Sequence, residues 1–149
     1  MLFEPLAGWR HIELSPTRTA RDFARVVKDL VDSPRYAPAD KLVLVMDQLN
    51  THTPGSLYEA LAPAEARRIA DRLEIHHTPK HGSWLDMAEI ELSVLARDLP
   101  QRVGDQASMT RHMAAWESRR NQEQVKADWQ FTTADARVKL RKLYPTVDA

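Results

Sequence analysis

The sequence predicts an α/β domain with a helical addition at its C-terminal end. Three observations predict it: strand-like and helix-like periodicities alternate through the first two thirds of the chain, one stretch of that part is wholly apolar, and everything after the last strand reads as helix. The chain has 149 residues, no cysteine, 21 Lys+Arg against 21 Asp+Glu, and 43% hydrophobic residues, the profile of one globular domain. A chain of this size buries about 68% of the surface that its unfolded form exposes, so a core forms without staples. Lack of cysteine excludes disulfides, thiolate zinc sites and cysteine nucleophiles. No run approaches the roughly 18 apolar residues of a membrane span, and Met1-Leu2-Phe3-Glu4-Pro5 lacks the basic start and apolar middle of a signal peptide. The expected location is therefore cytoplasmic, with no membrane partner. Zero formal net charge excludes a uniformly basic shell, and any nucleic-acid contact has to come from local patches.

Residues 9–14 (Trp-Arg-His-Ile-Glu-Leu) alternate apolar and polar side chains after a Leu6-Ala7-Gly8 turn signal, which predicts a strand of a hairpin. From Thr19 the period changes. Ala20, Phe23, Ala24, Val27, Leu30 and Val31 fall on one helical stripe with charged residues opposite, and Thr19 with Asp22 forms a capping box. Pro34 and Pro38 end that helix. Leu42-Val43-Leu44-Val45-Met46 follows, an uninterrupted apolar run that predicts a strand buried on both faces and ending at Asp47. Residues 51–63 read as a turn around Pro54-Gly55, residues 64–73 as a helix rich in arginine, and residues 73–77 as a short strand that completes a β-α-β unit. The loop of residues 78–83 leads into a helix over about 84–99 with Ser83 as N-cap, and two further helices are expected near 108–120 and 133–143. One domain is expected over 1–149, with its core over about 1–105 and a helical extension over about 106–149.

Two groups of acids invite a chemical reading. Asp47 stands at the carboxyl end of the apolar strand, where open α/β sheets place ligand groups, although an Asp there also starts Asx-type turns. On the helix after residue 84, Asp86, Glu89 and Ser93 share one polar face, while Glu91 points about 200° away from Glu89. The stripe Met87, Ile90, Val94 is expected to pack on the sheet, which puts Glu89 at its edge, facing Asp47, and Glu91 on the far side. Carboxylates converging from a strand end and a helix hold hard divalent cations. A pair of such ions supports phosphoryl transfer. The histidines His52, His76, His77 and His81 lack metal-ligand spacing, so no zinc site is expected. Trp116 with Met109, His112 and Met113 reads as a core stripe. Residues 110–145 carry eight Lys/Arg (Arg111, Arg119, Arg120, Lys126, Arg137, Lys139, Arg141, Lys142) against four acids, a modest basic surface.

Residues 47–52 (Asp-Gln-Leu-Asn-Thr-His) and 77–91 (His-Thr-Pro-Lys-His-Gly-Ser-Trp-Leu-Asp-Met-Ala-Glu-Ile-Glu) resemble the catalytic blocks of mariner-superfamily bacterial insertion-sequence transposases, members of the DDE endonuclease group. The likeness runs from about Phe3 to Pro145. It implies a ribonuclease H-like fold, dependence on Mg²⁺ or Mn²⁺, and cutting and joining of transposon DNA ends. Asp47 matches the second catalytic, metal-binding acid and Glu89 the third, with Asn50, His52, Lys80, His81 and Asp86 at the mouth of the site, where they would touch DNA. Gln48 and Asp86 depart from the Asn that the family often has at each place. The family's first catalytic Asp, carried on the first and central strand, has no match here, and neither has its DNA-end-recognition region. The resemblance therefore implies an N-terminally truncated piece that lacks the central strand and is expected not to cleave DNA by itself. An alternative is a catalytically inactive remnant or accessory fragment that binds DNA or self-associates. With that strand missing, the Leu42 to Met46 strand is expected either to pair directly with residues 2–6 or to form a homo-oligomer through its unpaired edge.

Overall fold

A computed structural model describes residues 1–79, 85–139 and 141. Among them the strands are β1 (Leu2–Glu4), β2 (Trp9–His11), β3 (Leu42–Met46) and β4 (Leu73–His77). The helices are α1 (Ala20–Asp32), α2 (Gly55–Ala60), α3 (Pro63–Ala70), α4 (Met87–Asp98), α5 (Gln106–Gln122) and α6 (Thr133–Lys139). β1 and β2 form the expected antiparallel hairpin, with Leu2 opposite His11 and Glu4 opposite Trp9. Gly8 turns it at φ +67°, a left-handed conformation that only glycine adopts cheaply. β2 ends at His11, three residues short of the expected strand.

The β-α-β unit is present: β3 and β4 run parallel, Leu42 opposite Leu73 and Met46 opposite His77. α1 is capped by Thr19, whose hydroxyl accepts from Asp22 N–H while the Asp22 carboxylate accepts from Thr19 N–H. Its buried stripe Ala24, Val27, Leu30 and Val31 packs with Leu57, Ala66 and Ile69 from α2 and α3 and with Leu42 and Leu73 from the strands, and this cluster is the core. Arg72 closes the unit by donating to the carbonyls of Val31, Tyr36, Ala37 and Ala39, so one guanidinium satisfies four chain-turn acceptors.

Four expectations are corrected. β3 is covered on one face only, since Val43 and Val45 remain 61% and 59% exposed. Residues 55–60 form α2 rather than a turn, because Leu57 is fully buried and Ser56 Oγ donates to Thr51 O at 2.8 Å, which together hold the segment in helix. α4 begins at Met87 and is capped by Asp86, while the expected cap Ser83 lies outside the described residues. β3 does not pair with residues 2–6: among the described residues there are two separate two-stranded sheets, β1-β2 and β3-β4.

The second sheet-and-helix layer rests on charge. α4 lies against β1 and α5 against β2, and the side chain at their junction is Arg10, fully buried. Its Nε sits 2.9 Å from Glu91 Oε1, too far out of line for a hydrogen bond, and its other nitrogens donate to the carbonyls of Val125 (2.5 Å) and Gly8 (3.2 Å). Asn121 exchanges two hydrogen bonds with the Arg10 backbone, each 2.8 Å. Arg120 reaches the same Glu91 carboxylate at 2.7 and 3.2 Å, and the rings of Phe3 and Trp116 lie against the Arg10 guanidinium. Burial pulls the Arg10 pKa below its usual value; Glu91 opposes that shift and Arg120 adds to it.

Candidate functional site

Asp47 follows β3 directly, and its carboxylate is held on one side. Oδ1 accepts from Leu49 N–H at 3.1 Å, the expected Asx turn, and lies 2.6 Å from His52 Nδ1. Oδ2 has no hydrogen-bond partner among the described residues, and the Asp47 side chain is half exposed. The clamp on Oδ1 is itself fixed: the His52 ring packs on Phe23 with centroids 5.0 Å apart, and His77 Nε2 lies 2.9 Å from the His52 carbonyl. Gln48 Nε2 donates to Thr78 O at 2.9 Å, tying the ends of β3 and β4 together, a task that the longer amide reaches from this position.

Asp47, His52 and Asp86 line one groove of about 280 Å³ together with Leu44, Val45 and Met46 of β3, Leu2 of β1 and Phe23, Val26 and Val27 of α1. Asp86 faces it from the start of α4, where its Oδ1 accepts from Ala88 N–H (2.9 Å) and Glu89 N–H (3.3 Å). Asn would cap here as well, since both side chains accept from the first helical turn. Asn50 is exposed in the turn after Asp47, and Lys80 and His81 lie outside the described residues.

The phase of α4 departs from the expected one. Ile90 is 43% exposed and Glu91 only 6%, so the packed face centres on Glu91 and Leu95 instead of Met87, Ile90 and Val94. Sequence periodicity assigned glutamate to solvent, whereas Arg10 and Arg120 neutralise it inside. Glu89 stands exposed on the first turn, next to Asp86 but not among the residues that line the groove. Among the described residues no group of three or more His, Asp or Glu side chains is placed to hold a metal ion. One free carboxylate oxygen on Asp47 is a partial donor set, and the described residues alone do not fit a two-metal centre.

The residues that sequence reasoning passed over are His77, which locks the His52 backbone, and the Arg10-Glu91-Arg120 group. A signal for the second existed in the polar position between Trp9 and His11 on a strand, yet its buried partners lie at 91, 120 and 121, beyond the reach of local pattern. Two cations of the basic surface of residues 110–145 are engaged, Arg120 turning inward to Glu91 and Arg119 lying 3.4 Å from Asp98, and Lys142 lies outside the described residues. His112 is exposed, so the expected core stripe of α5 reduces to Trp116 with the half-buried Met109 and Met113. Among the described residues no helix is long and apolar enough to cross a membrane.

A family model described as DDE superfamily endonuclease matches residues 2–110. No curated protein and no solved structure matches the chain.

Proposed function

We propose, from the premise that this chain belongs to the DDE superfamily endonuclease family, that it is the C-terminal part of the catalytic domain of a mariner-superfamily insertion-sequence transposase. The intact form would cut and join transposon DNA by phosphoryl transfer dependent on Mg²⁺ or Mn²⁺. One observation carries the reading: Asp47 ends a β-strand at the edge of a groove, with Oδ1 clamped by Leu49 and His52 and Oδ2 free. Such a carboxylate is oriented before any ligand arrives, which is the property a reacting centre needs. Asp47 and Glu89 are assigned as two of the catalytic carboxylates, and Asn50, His52, Lys80, His81 and Asp86 as the rim that meets DNA.

The third carboxylate is assigned to a strand supplied from outside residues 1–149, seated in the groove between Leu2 and Met46. The two sheets left unjoined among the described residues support this. A second reading takes the 149-residue chain alone as a fragment that does not cleave and that binds DNA or associates with itself. Contact with the DNA backbone is assigned to Arg111, Arg137 and Arg141, all exposed, and would weaken with salt. The core over about 1–105 and the extension over about 106–149 are assigned to one body, because Asn121 and Val125 hydrogen-bond Arg10.

Plasmid nicking with Mg²⁺ or Mn²⁺ tests both readings. The product of the extended reading frame is expected to nick, Asp47→Ala and Glu89→Ala are each expected to abolish nicking, and the 149-residue chain is expected to be inert. Undiminished nicking by the Asp47→Ala form would overturn the assignment.

A further inference from the structure

We propose that Arg18 and Arg21, at the start of α1, hold the phosphate backbone of DNA at the mouth of the Asp47 groove, as positioning residues for the strand to be cut. The observation behind this is how the other cations of residues 1–79 are used. That stretch carries ten Lys and Arg. Six lie against carboxylates (Arg10, Arg25, Lys28, Arg35, Arg67 and Arg68), and Lys41 and Arg72 donate to main-chain carbonyls. Arg18 and Arg21 are the two that bond neither an acid nor a carbonyl among the described residues.

Their place matters as much as their freedom. Arg21, Arg25 and Lys28 stand at i, i+4 and i+7 on the outer face of α1. Along that face Lys28 is held by Asp32 and Glu65 and Arg25 by Glu13, and the pairing stops at the end nearest Asp47. There Arg18 extends the row and lines the groove with Asp47 and His52, while the contact of the Phe23 and His52 rings fixes this turn of α1 beside the Asp47 turn. Both arginines are exposed. The nearby Asp22 does not bond them: its Oδ2 accepts from the Thr17 hydroxyl (2.6 Å), Thr19 N–H (2.8 Å) and the Thr19 hydroxyl (2.8 Å). With Thr19 and Asp22 capping the helix, the anion site consists of the two guanidinium groups and not of helix amides.

Stability gives these two side chains no task. A helix dipole favours negative charge at its N-terminal end, so cations there do not strengthen α1. A polyanion gives them one. A phosphodiester approaching Asp47 meets carboxylates on the groove walls, Asp47 and Asp86 among them, and Arg18 is the single Lys or Arg side chain that lines the groove among the described residues. Guanidinium groups on the α1 side offset that repulsion, and their planar donor forks match phosphate oxygens two at a time.

The choice of DNA as the polyanion, and of the strand to be cut as the part held, rests on the reading of the chain as a transposase. That two free guanidinium groups form an anion site beside Asp47 does not depend on it.

Fluorescence anisotropy of a labelled DNA duplex titrated with the full 149-residue chain in EDTA, between about 50 and 200 mM salt, tests the proposal. Each phosphate contact adds about 0.9 to the slope of log affinity against log salt, so Arg18→Gln with Arg21→Gln is expected to lower the slope by about 1.8. Over that fourfold rise in salt the wild type then loses about 12-fold more affinity than the double variant. Arg18→Lys with Arg21→Lys keeps the charge and is expected to keep the slope, a rescue that a merely structural role would not show. Lys41→Gln, at the opposite end of β3 with its ammonium on the Asp71 carbonyl, is expected to change nothing. Since the chain has no cysteine, disulfide trapping reads the place without background: Thr17→Cys, beside Arg18, should capture a duplex that carries a tethered thiol on its backbone, and Lys41→Cys should not. A wild-type chain that does not bind the duplex, a slope unmoved by the glutamine pair, or capture at 41 in place of 17 would each overturn the proposal. Nicking by the longer product is a separate readout: its absence beside the expected slopes would remove the catalytic reading of Asp47 and leave the arginine site standing.

Discussion

The two sheets of this chain are stabilised by opposite means. β1-β2 is short and is held by a buried charge group, in which Arg10, Glu91, Arg120 and Asn121 tie the hairpin to α4 and α5. β3-β4 is longer and held by apolar packing on its covered face, where Leu42 and Leu73 meet α1, α2 and α3, and it is open on the other face and at one edge. Charge burial is specific but brittle, because removing one charge leaves its buried partners uncompensated. Apolar burial is tolerant, and a strand held that way keeps its free edge available without losing its core.

The largest break in this contrast is expected from Glu91→Ala, which leaves two arginines without their counter-charge. A loss of about 3–5 kcal/mol in urea unfolding is expected, against less than about 0.5 kcal/mol for Val43→Thr on the exposed face of β3. Gly8→Ala comes next. A Cβ there would stand 2.4 Å from Gln124 O at a backbone φ of +67°, so the hairpin or the 124–127 segment has to shift, and about 1–3 kcal/mol should be lost in the same assay. At the start of α4, Asp86→Ala should cost about 1 kcal/mol and Asp86→Asn only a few tenths, since Asn caps as well. Near equality of the Ala and Asn forms in thermal unfolding would remove the capping account.

The smallest effect concerns the charges that dress the apolar unit. Hydrogen bonds from Arg68, then from Lys28, hold the carboxyls of both Asp32 and Glu65 down to about 2. Both acids therefore bind protons more readily in the unfolded chain. Their contribution is full above the ordinary carboxylate range and is lost as pH falls toward about 2, so stability should decline on the acid side and change little above neutrality. Arg68→Gln should flatten that acid limb in pH-dependent unfolding. The pairs are exposed and screened, so the effect is modest.

Much of the apolar unit was legible in the sequence because its signals are local. Thr19 with Asp22, the stripe from Ala24 to Val31 and the run Leu42 to Met46 each declare their element within a dozen residues. The place of Asp47 at a strand end, and the turn it starts, were legible for the same reason. What escaped depends on partners far away in sequence. Periodicity could not place Glu91 inside without Arg10 and Arg120, nor make a helix of residues 55–60 without the burial of Leu57. Full burial of β3 was expected from composition, whereas coverage depends on which elements the fold brings to each face.

The contact between Arg10 and Val125 spans 115 positions, whereas β3, α2, α3 and β4 all lie within residues 42–77. During synthesis at about 5–20 residues per second, roughly 6–23 s separate the appearance of Arg10 from that of the carbonyl that receives it. Over that interval the parallel unit with α1 has everything it needs to close, while the hairpin has no surface to dock on. Pulse-labelled exchange should therefore find α1 and β3 protected before β2. The order of folding would run against the order of the chain, with the N-terminal strands the last to be secured.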